Sequence, residues 1–106
     1  MKGQSSPWGT IQSATKLGEG VYQVNTAGHG GIVLEPQSAR NLLPAHVLKL
    51  ADKHRGNYCY EEDCAASLVA FYAPQLFVRL IDASDCEDWM ELNRAIIRRY
   101  YPELLG

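Results

Sequence analysis

A chain of 106 residues, 46% apolar and 21% charged, holds enough material for one hydrophobic core and has the composition of an ordinary folded domain. One domain over 1–106 is therefore expected, and wholesale disorder is disfavoured. Ten Lys/Arg against twelve Asp/Glu, net −2, argue against a DNA-coating protein or a polybasic membrane binder. No apolar run nears the roughly 18 residues of a bilayer span, and Met1 to Pro7 lacks a secretory apolar stretch, so a cytoplasmic protein is expected.

In chain order, Thr10 to Leu17 reads as a strand, and Val21-Tyr22-Gln23-Val24-Asn25 alternates apolar and polar with period two. Gly18-Glu19-Gly20 between them suits a tight reversal, giving a β-hairpin. Gly28-His29-Gly30-Gly31 reads as a flexible connection to a third strand at Ile32-Val33-Leu34. Pro36 opens a short helix across Ser38 to Leu43, and Pro44 either kinks it or starts the next. Val47, Leu50, Ala51 and His54 fall on one face of a helix over 45–54 that ends at Gly56, and Asn57 to Tyr60 reads as an aromatic connector. From Glu61, the stripe Cys64, Ala65, Leu68, Val69 and Tyr72 has helical spacing and stops before Pro74. Leu76 to Ile81 is nearly all apolar and fits a buried helix or a buried strand equally. Ser84-Asp85-Cys86-Glu87 has capping-box spacing for a last helix whose face is Cys86, Trp89, Met90, Asn93, Ile96, Ile97 and Tyr100. The fold class is α+β: a small antiparallel sheet of about three N-terminal strands packed against three to four helices.

Three cysteines, Cys59, Cys64 and Cys86, are an odd number without a Cys-x-x-Cys pair. Reduced thiols are expected, Cys64 and Cys86 packing as small hydrophobes, with no metal and no cofactor.

Pro7-Trp8-Gly9, Gly20-Val21 with Val24-Asn25-Thr26, His29-Gly30-Gly31, Tyr60-Glu61-Glu62-Asp63-Cys64 and Tyr101-Pro102-Glu103 follow one another along nearly the whole chain. In this order they resemble an uncharacterised bacterial domain family of phages, plasmids and other mobile elements. The Tyr-Glu-Glu-Asp-Cys run is the most specific part of the resemblance. Ala27-Gly28 departs from it where a Ser commonly precedes the His, and Tyr101 stands where Trp is common. The resemblance implies a gene carried by mobile DNA, and with it an anti-CRISPR or anti-restriction role, but no transferable activity.

Charge supplies the functional lever. Residues 1–60 carry six Lys/Arg and three Asp/Glu, whereas 61–91 carry eight acids against Arg79 alone. Glu61, Glu62 and Asp63 complement the free amides of a helix start, or meet a basic partner. If they share a face with Asp82, Asp85, Glu87, Asp88 and Glu91, the patch would attract a groove built for nucleic-acid phosphate. A solvated face that keeps the protein soluble is the competing reading. Tyr58 and Tyr60 are core lids or contact anchors. Trp8 and Trp89 read as structural, as do Gly30 and Gly31. His29 is expected to tie the sheet to the helix through a carboxylate such as Glu61 or Asp63. His46 and His54 read as surface or cap residues, and Arg94, Arg98 and Arg99 form a basic cluster too small for a nucleic-acid footprint.

These observations yield three expectations. The first is a stoichiometric, non-enzymatic inhibitor of a host defence complex such as a CRISPR effector, acting through its acidic surface without binding nucleic acid or membrane directly. The second is a small His- or metal-dependent enzyme using His29 with Glu61, Glu62 or Asp63. The third is an accessory interaction domain of larger mobile-element proteins.

Overall fold

The computed structural model describes residues 1–78 and 80–104; Arg79, part of the ambiguous apolar run 76–81, lies outside them. It is α+β. Strands β1 (Ser5–Ser6) and β2 (Gly9–Thr10) form a short antiparallel hairpin. Strands β3 (Ser13–Gly18), β4 (Val21–Asn25), β5 (Gly30–Leu34), β6 (Asp52–His54) and β7 (Asn57–Glu61) form an antiparallel sheet in the order β3-β4-β5-β7-β6. Four helices accompany them: α1 (Pro36–Leu42), α2 (Ala45–Leu48), α3 (Ala66–Tyr72) and α4 (Cys86–Tyr100).

The first hairpin of the large sheet turns where glycine allows it. Gly20 has φ +70°, and a Cβ there would also press on the Ser38 hydroxyl and the Glu35 carboxylate. Pro44 is the N-cap of α2 with extended ψ, so it begins a new helix rather than kinking α1.

The sheet has two strands more than the alternation in the first third of the sequence indicates. The expected helix over 45–54 ends after one turn at Leu48, and Asp52–His54 is a strand paired with β7. Asn57 to Tyr60, read as a connector, is most of the strand between β5 and β6. The apolar spacing of Val47, Leu50 and Ala51 imitates a helical face, but Leu50 is exposed, and no core rewards continuing the helix. The expected strand from Thr10 to Leu17 is divided: Thr10 pairs with Ser5, whereas β3 pairs with β4.

Both faces of the sheet are covered, which is why every residue of β5 is buried. On one face Leu17, Val21, Ile32, Leu34 and Tyr60 pack with Val47, Leu68, Val69 and Ile97 from the helices. On the other, Ile11, Val24, Val33 and Cys59 lie beneath Met1, Trp8 and Tyr22. The predicted stripe of α4 is largely observed: Asn93 and Ile97 are buried and Trp89, Met90 and Ile96 half-buried, while Tyr100 turns to solvent. The capping box is not formed. A 3-10 turn at Ala83–Asp85 runs directly into α4, leaving Asp85 as N-cap with αR backbone and no side-chain bond to the helix amides. A serine cap needs extended backbone at that point.

Candidate acidic corner and groove

Three of the sequence segments that carry the family resemblance, those at Trp8, His29 to Gly31 and Tyr60 to Cys64, meet at one end of the sheet. Gly31 pairs with Val24 on one side and with Glu61 on the other. Trp8 lies over Gly31: a Cβ on residue 31 would collide with the Trp8 ring and with the Tyr60 carbonyl. The Thr26 hydroxyl ties the same corner together, 2.7 Å from the His29 carbonyl oxygen and 3.2 Å from that of Trp8. The Glu62 amide donates to the Gly30 carbonyl at 3.0 Å. Gly30 leaves room for the Glu62 carboxylate, whose Oε2 would stand 3.0 Å from a Cβ placed there.

Glu61 is not the first residue of a helix. It ends β7, and its carboxylate folds over the turns that lead into α3. Oε1 accepts from the Cys64 amide at 2.8 Å and the Ala65 amide at 3.2 Å, and Oε2 from the Asp63 amide at 3.0 Å. The Cys64 thiol donates to the same carboxylate at 2.8 Å. Partial burial pushes the Glu61 carboxyl up, but the bonds from Cys64, Ala65 and Asp63 outweigh it and hold the group below its ordinary value. Burial, and then the Glu61 carboxylate, push the Cys64 thiol up. Burial, followed by the Cys64 contact, raises the Tyr101 phenol to about 12. Glu61 therefore pins the turns that lead into α3, whose N-cap is Ala65, and Cys64 is a half-buried, hydrogen-bonded thiol rather than the packed small hydrophobe expected.

Glu62 and Asp63 point to solvent, as do Asp82, Asp85, Glu87, Asp88 and Glu91. Among the described residues, Glu91 alone of these forms an ion pair, with Arg94 and Arg98. A groove of about 400 Å³ opens beside Glu62. Glu62 stands in its wall with Phe77, Leu80 and Ile81, facing Trp89, Asn93 and Ile96 of α4. Asp82 follows directly on Ile81. Leu80 is 58% exposed, an apolar side chain open to contact beside the carboxylates.

Two expected site residues are placed otherwise. Tyr60 is wholly buried and its hydroxyl donates to the Val47 carbonyl at 3.0 Å, so it is a core tie and leaves the contact set. Tyr58 is half-buried under the Lys53 ammonium, 3.9 Å above its ring. His29 is exposed at the tip of the β4–β5 turn, where its backbone bonds to Thr26; among the described residues its imidazole has no hydrogen bond to Glu61 or Asp63. Its expected role as a tie between sheet and helix falls instead to the Glu61 carboxylate, which holds the turn between β7 and α3. Trp89 stacks obliquely on Phe77, ring centroids 5.4 Å apart, in the groove floor. Among the described residues no three His, Cys, Asp or Glu side chains converge as metal ligands would.

The class defined by this geometry is a small α+β domain with a glycine-seated corner and an apolar groove walled in part by Glu62. The chain belongs to the family described as Domain of unknown function (DUF7007), whose model matches residues 1–105. No curated protein and no solved structure matches it. No helix among the described residues is long and apolar enough to cross a membrane.

Proposed function

We propose that the protein is a stoichiometric inhibitor that binds a host defence complex, a CRISPR effector above all, at a basic surface meant for nucleic-acid phosphate. The observation that carries this reading is the set of exposed carboxylates, Glu62, Asp63, Asp82, Asp85, Glu87 and Asp88, none in an ion pair among the described residues, with Glu62 in the wall of an apolar groove. Carboxylates left without cations steer a basic partner into encounter. The exposed Leu80 and the half-buried Trp89 offer it an apolar anchor, and buried apolar contact at the centre of an interface supplies most of the affinity. The mobile-element character of the sequence resemblance supports a defence complex as the partner.

Titration of the purified protein into a purified CRISPR effector, with nuclease activity as readout, tests this. Inhibition is expected to saturate at one copy per complex and to weaken at higher salt. Changing Glu62, Asp63, Asp82 and Asp85 together to Lys should abolish it. Inhibition at a small fraction of one equivalent would instead mark the enzymatic alternative, and full inhibition by the charge-reversed form would dismiss the acidic surface.

A further inference from the structure

On the face of the sheet opposite the groove, a second set of polar groups surrounds a cavity of about 240 Å³ between the N-terminal hairpin and the β6–β7 turn. Its lining includes Gln4, Ser5, Arg55 and Asn57, with Val33 and the buried Cys59 as an apolar floor. The Ser5 hydroxyl lies 3.0 Å from His54 Nε2 and accepts from the Arg55 guanidinium at 3.3 Å. These contacts join residues about fifty positions apart in sequence. Arg55 occupies the first central position of a tight β-turn with φ +53°, and Gly56 follows with φ +85°. That conformation normally selects Asn, Asp or Gly. Here it carries the one non-glycine residue of positive φ among the described residues, and the side chain so placed is a guanidinium. Among the described residues Arg55 has no carboxylate partner, and its one hydrogen bond uses one of five N–H groups.

A guanidinium without a counter-ion, a hydroxyl and the Asn57 side-chain amide around one small cavity are donors in search of an acceptor. We propose that this cavity binds a compact oxyanion, the phosphate or carboxylate group of a small ligand. Arg55 supplies paired N–H donors to two of its oxygens, and Ser5 and the Asn57 side-chain amide supply single donors. The cavity is smaller than the pockets that take drug-sized molecules, so the ligand is the anion with at most a short organic tail. This site shares no residue with the acidic groove, and its test is independent of the inhibitor reading.

The experiment is an NMR titration of the isotopically labelled full chain with inorganic phosphate in one arm and acetate in the other, following the Asn57 side-chain amide and Arg55 Nε. Saturable shifts at both residues are expected in at least one arm, and the arm that saturates identifies the group. Arg55→Gly removes the guanidinium while suiting the backbone of the turn, so it should keep the fold and weaken binding at least tenfold. Ser5→Ala should weaken it several-fold. Failure of both anions to produce saturable shifts, or binding by R55G within twofold of the parent chain, overturns the proposal.

Discussion

Single residues at the corner carry work disproportionate to their size, and Glu61 shows how. Its carboxylate satisfies three amides that the turns before α3 leave unpaired. Leaving such amides without their charged acceptor costs about 1–3 kcal/mol. Glu61→Ala is therefore expected to lower stability by that amount in urea unfolding at neutral pH. The folded-state carboxyl lies below its ordinary value of 4.5. Its contribution is thus present above the unfolded value and disappears as pH falls through the lowered one. Stability measured down the acid limb should fall less steeply in Glu61→Gln than in the parent. Gly31 is the second such residue. An added Cβ meets the Tyr60 carbonyl, which the β5–β7 pairing holds in place, as well as the Trp8 ring. Gly31→Ala should destabilise by roughly 1–3 kcal/mol, as overpacking does. The added change Trp8→Ala should not restore the loss, because the backbone clash stays. Tryptophan fluorescence and chemical unfolding of the single and double variants check this.

At the scale of elements, β7 is the strand on which both cores depend, and it is the one that sequence patterning hides best. Tyr58 and Tyr60 face the helices while Cys59 faces the N-terminal hairpin, so the strand is apolar on both sides and shows no polar alternation. The turn before it, Arg55-Gly56, lacks the Asn-Gly signal by which a hairpin is read. The role of Glu61 in pinning the turn after β7 is hidden for a related reason: three consecutive acids look like a helix start, and only the β5–β7 register places Glu61 in the sheet. The α+β class, the Gly18–Gly20 turn and the α4 stripe were legible because each depends on local periodicity or a local backbone requirement. The convergence of Trp8, Gly31 and Glu61 was not, since it arises from long-range pairing. Tyr60 reports whether β7 and α2 are coupled as described. Tyr60→Phe removes the bond to the Val47 carbonyl without opening a cavity, and should cost about 1–2 kcal/mol. Faster amide exchange in α2 should accompany it.

The whole molecule is a sheet between two unlike layers, with helices and acids on one side and a short N-terminal hairpin on the other. The hairpin layer is thin, yet beneath it Cys59 is nearly inaccessible, and burial, reinforced by Asp52, raises its thiol to about 11. A thiol so held is neutral well into alkaline solution, whereas the half-buried Cys86 bonds only weakly, to the Asp82 carbonyl at 3.6 Å. An aromatic disulfide reagent should therefore modify Cys86 first and Cys59 last, the latter at the rate at which the hairpin lifts from the sheet. The linkage sign gives a second readout. With the folded value raised from 9.0 to about 11, the stabilisation is complete below the unfolded value and drains away as pH rises through that interval. Cys59→Ala should flatten this alkaline limb, while Trp8→Ala, which thins the lid without touching the thiol, should accelerate Cys59 labelling and leave the rate at Cys86 unchanged. Equal acceleration at both cysteines would show that the two layers open together, as one cooperative unit rather than as a lid over a finished core.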